Sequence, residues 1–556
     1  MPQADLIIEN ARLLTMDPAR PRAEAIALAG QTILAVGTRA EVAAAAGPGV
    51  RRLDAGGASV LPGFIDSHIH LFPGGAQLPS LALAGLSGFE PIASAIRRRN
   101  AEQPGDGLLL VEQAGYAMFG ASVPIDRHLL DRILPARPLA LFASDHHTMW
   151  ANTAALVAAG ILNGHATAPG SEVVMGPDGL ATGELVEFEA FAPLTALTPT
   201  GGREMLGLLG REPAAPPTAA QRAVDREILR QGLAYCASLG ITGFHNMDGN
   251  LYQLELLGEI EAAGELTVRG RVPFRLLPGM GAAALEQAAE RRQRWNSDRL
   301  TADFVKIFMD GVIESYTAHM LEDYCGKPGL RGSSFFEPDE FDAICIAADR
   351  LGFQIAVHAI GDAAVRRTLD GYEAARRANG PRDSRHRVEH IEILAPADLP
   401  RFAELGVLAS VQPTHAPGGA YPIEPILSMI GRERMKLGYA WQTLREAGAR
   451  LVFASDWPVA PLDPLLGIRT AVMRGPIHED APQERQSLDD AIAGFTRDGA
   501  YAAFAEDRQG VLKPGALADV VILSGDIEAA RPEDIDTMKV AATLCGGRFT
   551  YERGAA

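Results

Sequence analysis

The sequence has few cysteines, and their placement argues against two kinds of stabilising site. Only four of the 556 residues are cysteine, and none belongs to a Cys-x-x-Cys pair. A disulfide framework or a cysteine-ligated zinc site is built from paired or clustered cysteines. We therefore expect ordinary thiols at Cys236, Cys325, Cys345 and Cys545.

The sequence also lacks long apolar runs and an excess of basic residues. A membrane-spanning helix needs about 18 consecutive apolar residues, and no such run occurs. Residues 1–5 have neither the basic nor the apolar stretch of a signal peptide. Lysine and arginine number 51 against 69 aspartates and glutamates, so the formal charge is −18. Because nucleic-acid binding needs a basic face, these features predict a cytoplasmic protein that binds neither nucleic acid nor membrane.

Strand-like and helix-like segments alternate along the middle of the chain. This alternation predicts an α/β fold with a parallel sheet, and eight strands favour a closed (β/α)8 TIM-like barrel. An open doubly wound sheet is the alternative, which the lack of a Gly-x-Gly-x-x-Gly turn after an early strand disfavours. The candidate strands are Leu61–His68, Ile241–Asn246, Val272–Leu277, Phe304–Met309, Gln354–Ala359, His386–Ile391, Leu408–Gln412 and Leu451–Ser455.

The two ends of the chain and one long crossover predict further domains. Residues 1–60 and 506–556 carry short strands broken by turns, which favours one small β-sandwich built from both termini, with two independent appendages as the alternative. Residues 61–72 would hold barrel strand 1 and residues 241–505 the rest of the barrel. The segment 73–240 is too long for one loop and helix, so we expect an inserted domain there that shapes access to the substrate.

The first candidate strand ends in a His-x-His pair. Side chains alternate along a strand, so His68 and His70 point the same way. They leave the strand at its carboxyl end, where barrel enzymes place their active sites. Two imidazoles at this spacing can share a divalent cation, with each nitrogen about 2.0–2.1 Å from it. A pair of polar strand-end histidines without a metal is the alternative.

Four other strands carry polar residues that packing does not explain. Lys306 lies inside the apolar strand Phe304–Met309, where a charged amine is costly. Carbamylation by CO₂ would turn it into an anion able to bridge two cations, and a lysine that reaches the barrel mouth is the alternative. His358, His390 and Asp456 each end another strand. Together they predict a metal site at the carboxyl ends of the strands.

The order His-x-His, Lys, His, His, Asp resembles the amidohydrolase superfamily of metal-dependent hydrolases. Several longer motifs are similar to its YtcJ-like, amidohydrolase-3 branch, and the likeness runs from the first strands to about Leu523. These motifs are Val305-Lys306-Ile307-Phe308-Met309-Asp310-Gly311, His358-Ala359-Ile360-Gly361-Asp362, Arg387-Val388-Glu389-His390, Gln412-Pro413-Thr414-His415 and Ala454-Ser455-Asp456-Trp457-Pro458-Val459.

The resemblance implies a set of metal ligands. One metal would be held by His68, His70 and Asp456. A second would be held by His358 and His390, with carboxylated Lys306 between the two. Zinc suits imidazole and oxygen ligands, so one or two Zn²⁺ per chain are expected, the binuclear site being favoured.

The resemblance also implies catalytic roles. Asp456 would act as general base and acid. His415 and His147 are candidate contacts to the substrate, His147 because Asp145-His146-His147-Thr148 resembles a family segment near the substrate. Nucleobase-type deaminases of the superfamily usually carry a glutamate where this chain has Gly361, which argues against deamination of a heterocycle. His245 ends a strand but matches no ligand position, so we expect a structural role.

These observations predict a metal-dependent hydrolase of a C–N bond other than a peptide bond. Its partner would be a small-molecule substrate, such as an amide, an N-substituted formamide or a carbamate. An isomerase, lyase or esterase on the same site is one alternative, and a non-catalytic, metal-stabilised binding protein is another. The resemblance alone implies a homodimer.

Overall fold

The computed structural model confirms the mixed α/β fold and divides the chain into two compact units. It describes residues 3–120, 122–144, 147–167, 171–416 and 423–554. The first unit contains residues 1–71, 207–212 and 233–556, and the second contains residues 72–206 and 213–232. All predicted metal ligands lie in the first unit, which is therefore the one described in most detail.

The first unit contains two sheets whose strands all run parallel. Most of these strands are buried along their whole length, as expected for parallel strands with both faces covered. In order of pairing, one sheet has strands Leu300–Thr301, Arg269–Arg271, Ile241–Asn246 and Phe64–Ile69. The other has strands Phe274–Arg275, Phe304–Phe308, Gln354–Ala359, Arg387–His390, Leu408–Val411 and Arg450–Phe453.

Two predicted strands are divided between different sheets. The predicted strand Val272–Leu277 is broken by Pro273, which has no N–H for a sheet ladder, and the chain changes sheet there. The predicted strand Leu61–His68 is interrupted at Gly63, whose N–H donates to the Asp519 carbonyl. The Thr242 side chain fills the space that a Cβ at residue 63 would need, so only glycine fits this crossing.

Strands from the two ends of the chain share one sheet. Ser59–Pro62 runs antiparallel to Val520–Leu523 on one side and parallel to Arg12–Leu14 on the other. This sheet also contains Arg22–Ala23, Val540–Cys545 and Arg548–Glu552. A second sheet contains Thr32–Gly37, Ala25–Ala29, Ala4–Glu9 and Ala46–Asp54, with the helix Arg39–Ala43 beside it. Apolar side chains of both sheets, such as Ile8 and Val520, belong to one buried cluster.

Helices follow most parallel strands of the first unit, and side chains cap several of them. Asn250, Asp463 and Ser487 each accept a hydrogen bond from a backbone N–H in the first turn, which satisfies a donor that the helix leaves free. The α-helices are Leu251–Ala262, Leu285–Arg294, Pro338–Arg350, Asp362–Asn379, Arg401–Leu405, Ile426–Ile430, Arg432–Met435, Trp441–Glu446, Pro464–Met473, Leu488–Gly494 and Arg497–Ala502. Short 3₁₀ turns are Ala282–Ala284, Pro396–Asp398, Pro413–His415 and Pro532–Thr537.

The second unit is built on a mixed sheet with an apolar cluster on each face. Leu109 and Val111 belong to one cluster, and Ala140 and Phe142 belong to the other. The strands, in order of pairing, are Glu172–Met175, Ala181–Val186, Thr148–Ala151, Leu139–Ala143, Leu109–Ala114 and Leu81–Ala82. The helices of this segment are Leu71–Gln77, Phe89–Glu102, Arg127–Ile133, Thr153–Ala158, Phe188–Thr195 and Ala219–Ser238, with a 3₁₀ turn at Arg203–Met205.

None of the helices in the described parts of the chain combines the length and apolarity needed to cross a bilayer.

Candidate metal centre

Backbone hydrogen bonds hold the His-x-His pair beside Asp456. The Asp456 N–H donates to the His68 carbonyl over 2.8 Å, and the His70 N–H donates to the Trp457 carbonyl over 2.7 Å. The Nε2 atoms of His68 and His70 lie 3.2 and 3.3 Å from the same oxygen, Oδ1 of Asp456. All three side chains are buried. One position therefore faces two imidazoles and a carboxylate, a donor set that suits zinc.

A second group of ligand atoms shares Asp456. His390, His415 and Asp456 offer atoms that lie within 4.8 Å of one another. Nε2 of His415 is 3.6 Å from Oδ2 of Asp456, and the rings of His390 and His415 are stacked with centroids 6.0 Å apart. Asp456 thus stands between two candidate cation positions, one on each carboxylate oxygen.

His358 lies next to these groups but in neither of them. Its ring centroid is 4.5 Å from that of His390, yet its Nε2–H donates to the Gly311 carbonyl over 3.1 Å. The structure therefore brings His68, His70, His390, His415 and Asp456 together and leaves His358 at their edge. The ligand role of His358 stays a prediction.

Lys306 is completely buried and its Nζ makes no hydrogen bond in the described part of the chain. Burial, assisted by the charges of Arg275 and Arg387, lowers the pKa of its amine to about 7 against the opposing charge of Glu389. A large fraction of the amine is then neutral near pH 7, which is the form that reacts with CO₂. A buried amine without a hydrogen bond to any described residue, close enough to His358 and His390 for its charge to lower their pKa values, fits the predicted carbamate.

The metal-facing histidines are oriented by partners that the sequence analysis did not identify. Nδ1 of His68 lies 2.8 Å from Glu389, and Nδ1 of His70 lies 3.1 Å from Asp248. Nδ1 of His390 lies 2.9 Å from the side-chain oxygen of Gln412. A hydrogen bond from Nδ1–H fixes the tautomer and leaves Nε2 as the electron-pair donor, the usual arrangement around bound metals. Glu389 and Gln412 stand in quoted motifs that could have signalled them.

Burial and charge set the protonation of the site. Burial lowers the pKa of His358 to about 3 and that of His390 well below its ordinary value, so both imidazoles are neutral and able to bind a cation. Burial opposes the charged form of His70, but its bonds to Asp248 and Asp456 raise its pKa to about 9. Burial alone would raise the pKa of Asp456, yet the charge of His68 and the histidine hydrogen bonds hold it well below the usual range.

Gly361 is fixed by backbone packing. Its N–H donates to Asp310, and a Cβ at this position would lie 2.1 Å from the His319 carbonyl oxygen. No side chain can occupy this position without moving the neighbouring loop. The packing of the backbone around Gly361 therefore excludes a glutamate at this position.

Two further histidines lie outside both groups. His245 is buried, and its Nδ1 accepts a hydrogen bond from Nη1 of Arg387 over 2.9 Å. His147 belongs to the second unit, where its Nδ1 lies 2.8 Å from Glu187. Asp145 and His146, which precede it in the predicted substrate segment, lie outside the described residues. The catalytic role of His147 therefore stays a prediction.

A mixed α/β fold with buried imidazoles around one carboxylate defines a protein with a candidate metal centre at the carboxyl ends of parallel strands. The chain belongs to the amidohydrolase family, whose model matches residues 51–551. This confirms the resemblance seen in the motifs. Membership of this family supports a hydrolase, and it accounts for the likeness running through nearly the whole chain.

Curated relatives match along most of their length. The chain is 31% identical to LONG AFTER FAR-RED 3 of Arabidopsis thaliana, covering 99% of this chain and 92% of that protein. It is 29% identical to YtcJ of Bacillus subtilis (strain 168), covering 91% of each. It is 28% identical to the N-substituted formamide deformylase of Arthrobacter pascens, covering 99% and 98%.

A solved structure shares the fold. An uncharacterized metal-dependent hydrolase from Pyrococcus horikoshii OT3 superposes with a TM-score of 0.72 and 22% identity, covering 95% of this chain and 98% of that one. At this identity the match shows the fold alone.

Proposed function

We propose that this protein is a metal-dependent hydrolase that cleaves the C–N bond of an amide, an N-substituted formamide or a carbamate. The observation that carries the proposal is the convergence of His68, His70, His390 and His415 on the single carboxylate of Asp456. The second support is the set of side chains that hold Nδ1 of three of these histidines and so aim Nε2 at one place.

The proposal includes a closed (β/α)8 barrel and a β-sandwich made from both termini. In support of the barrel, Ile69 and Trp457 form a parallel bridge between the regions of the first and last predicted strands. In support of the sandwich, the two sheets that contain the terminal strands share one apolar cluster. We keep residues 73–240 as the proposed inserted domain.

We propose zinc as the metal and favour two ions per chain. His68, His70 and Asp456 would hold the first, and His358, His390 and carboxylated Lys306 would complete the second. His415 is an added candidate for the second position, because its Nε2 faces Asp456. When bound, zinc lowers the pKa of a water from about 15.7 towards 7 and polarises a carbonyl group.

The protein's own residues supply proton transfer and charge. The Asp456 carboxylate accepts a proton from the water whose oxygen attacks the carbonyl carbon, and it returns that proton to the nitrogen as the C–N bond breaks. An amine is a poor leaving group unless protonated, so the return is the step on which amide cleavage depends. When His415 is not a metal ligand, its Nε2–H can instead donate a hydrogen bond to the oxygen that gains negative charge during the attack. His147 stays a candidate for a contact to the substrate.

One relative and one residue support the proposed substrate class. The relative from Arthrobacter pascens is an N-substituted formamide deformylase and aligns with almost the whole chain. Gly361, which leaves no room for a glutamate, disfavours deamination of a heterocycle. A small-molecule substrate follows from this function. The cytoplasmic location and the homodimer stay predictions, which cell fractionation and sedimentation would test.

The test combines metal analysis with a substrate screen. Purified protein should contain one or two zinc ions per chain, and the zinc-loaded enzyme should hydrolyse members of a panel of N-substituted formamides, amides, carbamates and lactams. Chelation should abolish turnover and added zinc should restore it. Release of an ester alcohol, or isomerisation without water uptake, would favour the alternative enzymes. Zinc binding with no turnover on any panel would favour a metal-stabilised binding protein.

A further inference from the structure

Arg275 shares a strand face with the predicted bridging lysine. It ends the strand Phe274–Arg275, and in the parallel ladder it is the direct partner of Lys306. Directly paired residues of neighbouring strands project from the same face of a sheet, as do residues two apart on one strand. Arg275, Lys306 and Phe308 therefore share a face, and the next strand adds His358, the partner of Phe308.

One aromatic ring lies between Arg275 and His358, the histidine at the edge of the two metal-site groups. The Arg275 guanidinium lies over the Phe308 ring, 4.1 Å from its centroid. The same ring is stacked on His358 at 4.7 Å with an interplanar angle of 19°. Arg275 is therefore linked to a histidine next to the metal site through a single stacked ring.

Arg275 has no carboxylate partner in the described part of the chain. Its Nε donates to the Leu208 carbonyl over 3.3 Å, and its Nη1 donates to the Leu276 and Lys306 carbonyls over 3.2 and 3.4 Å. Nη2 makes no hydrogen bond there. Burial, with no opposing charge, lowers the pKa of the guanidinium to about 9.

Other arginines of the same strands are paired, which makes Arg275 unusual. Arg269 pairs with Asp519, Arg271 with Asp303 and Arg387 with Glu389. The chain carries 18 more acidic than basic residues, so carboxylates are not scarce. Arg275 is partly buried, and a partly desolvated cation that the protein does not neutralise is less stable unless a ligand supplies the charge.

We propose that Arg275 binds a carboxylate of the substrate, so that the enzyme prefers amides or formamides whose nitrogen-bearing part ends in a carboxylate. Two of the three guanidinium nitrogens are already bound to carbonyls, so the remaining Nη2 suits one oxygen of a monoanion better than a phosphate. The inference rests on the proposed function and adds the substrate class to it.

The kinetic test compares an acid with its neutral counterpart. N-formylglycine and N-formylglycinamide differ in the carboxylate alone, and the zinc-loaded enzyme should favour the acid by about tenfold or more in kcat/KM. Arg275→Met should remove this preference, and Arg275→Lys should keep part of it. Arg291→Met is the matched control, because Arg291 also stacks on an aromatic ring of this strand, Phe274, but is paired with Glu212. It should keep the preference.

A binding test separates this inference from the proposed function. Calorimetry with 4-oxopentanoate, a ketone acid without a C–N bond, and with neutral 2-hexanone needs no turnover. Tighter binding of the acid that Arg275→Met abolishes supports the inference even if no substrate is cleaved. If the wild type turns over the acid and the amide equally well, the inferred carboxylate preference is wrong, but the proposed hydrolase function is retained. If Arg275→Met loses zinc and turns over both substrates equally more slowly, the inference is wrong. Arg275 would then support Lys306 and the metal site instead of binding the substrate.

Discussion

Buried polar groups have different surroundings at the two ends of the parallel strands. At the amino ends, charges find partners within the protein. Asp303 and Gln354, at the starts of their strands, both bind Arg271, and Asp349 accepts hydrogen bonds from Arg382 and Ser384. At the carboxyl ends, buried groups are left with unused hydrogen-bonding capacity, and these are the groups predicted to hold a metal. Charges that are paired within the protein mark the stabilising end, and a buried group without a hydrogen-bond partner among the described residues, such as Nζ of Lys306, marks the end where a ligand is expected.

Two buried side chains, Lys306 and Arg387, show this difference most clearly. Both are fully buried, and the strand pairings put them on the same face. Arg387 donates to the Ser67 carbonyl, to Ser410 and to Glu389. Lys306 donates to none of the described residues. We therefore expect substitutions of Arg387 to act on stability and substitutions in the metal centre to act on catalysis.

The largest effect is expected at Asp456. Asp456→Asn removes the proton acceptor but keeps the side-chain shape, so kcat/KM should fall by about 10³-fold while the protein stays folded. Steady-state kinetics on the best substrate of the screen and circular dichroism measure the two outcomes. Asp463→Asn is the control, because Asp463 caps the helix Pro464–Met473 outside the site. Activity within a few-fold of wild type in Asp456→Asn would remove this residue from the mechanism.

The next effect is expected at Arg387 and concerns stability. Arg387→Met leaves the Glu389 carboxylate buried without its cation, and we expect the free energy of unfolding to fall by about 3–5 kcal/mol. Urea denaturation at equal zinc content measures it. The double variant Arg387→Met with Glu389→Gln should recover part of the loss, because no uncompensated charge remains. A loss in the double variant equal to the sum of the two single losses would contradict this explanation.

The sequence predicted the elements that periodicity and local motifs encode. The strand Gln354–Ala359 has the predicted bounds, and the alternation rule correctly made His68 and His70 neighbours on one side. The polar residues at the strand ends were visible because each interrupts an apolar run. These signals are local, so one sequence suffices to find them.

What the sequence did not reveal depends on contacts between distant segments. Asp248 meets His70 across a gap of 178 residues, and no motif surrounds it. The side-chain direction that turns His358 towards the Gly311 carbonyl is set by packing, which a strand pattern does not encode. The division of the third strand could have been foreseen, because Pro273 stands within it.

A smaller effect is expected from the partner of His70. Asp248→Asn keeps a hydrogen-bond acceptor but removes the charge that orients the imidazole, so zinc affinity should fall by about 10–100-fold. Competition with a chromophoric chelator measures the affinity. Asp303→Asn alters a carboxylate at the amino ends of the strands, where it pairs with Arg271, and should leave the affinity unchanged. Equal losses in the two variants would mean that the two ends of the strands do not differ in this respect.

The smallest effect is a pH dependence at the amino ends. Burial opposes ionisation of Asp349, but hydrogen bonds from His386, Asn379 and Ser384 hold the pKa of its carboxyl well below 3.8. A carboxyl with a depressed folded-state pKa stabilises the protein above its unfolded pKa and loses that contribution as the pH falls. Asp349→Asn should therefore be less stable than wild type at pH 7, and the difference should shrink by about 1 kcal/mol at pH 3.

Urea denaturation at the two pH values measures this change, and the exposed Asp339→Asn controls for the loss of one negative charge in the same helix, Pro338–Arg350. A difference between Asp349→Asn and wild type that stays constant from pH 7 to pH 3 would show that the carboxyl titrates as in the unfolded chain. The protein would then stabilise the ionised carboxylate at the amino ends no better than water does. Pairing with internal partners would no longer distinguish the two ends of the strands.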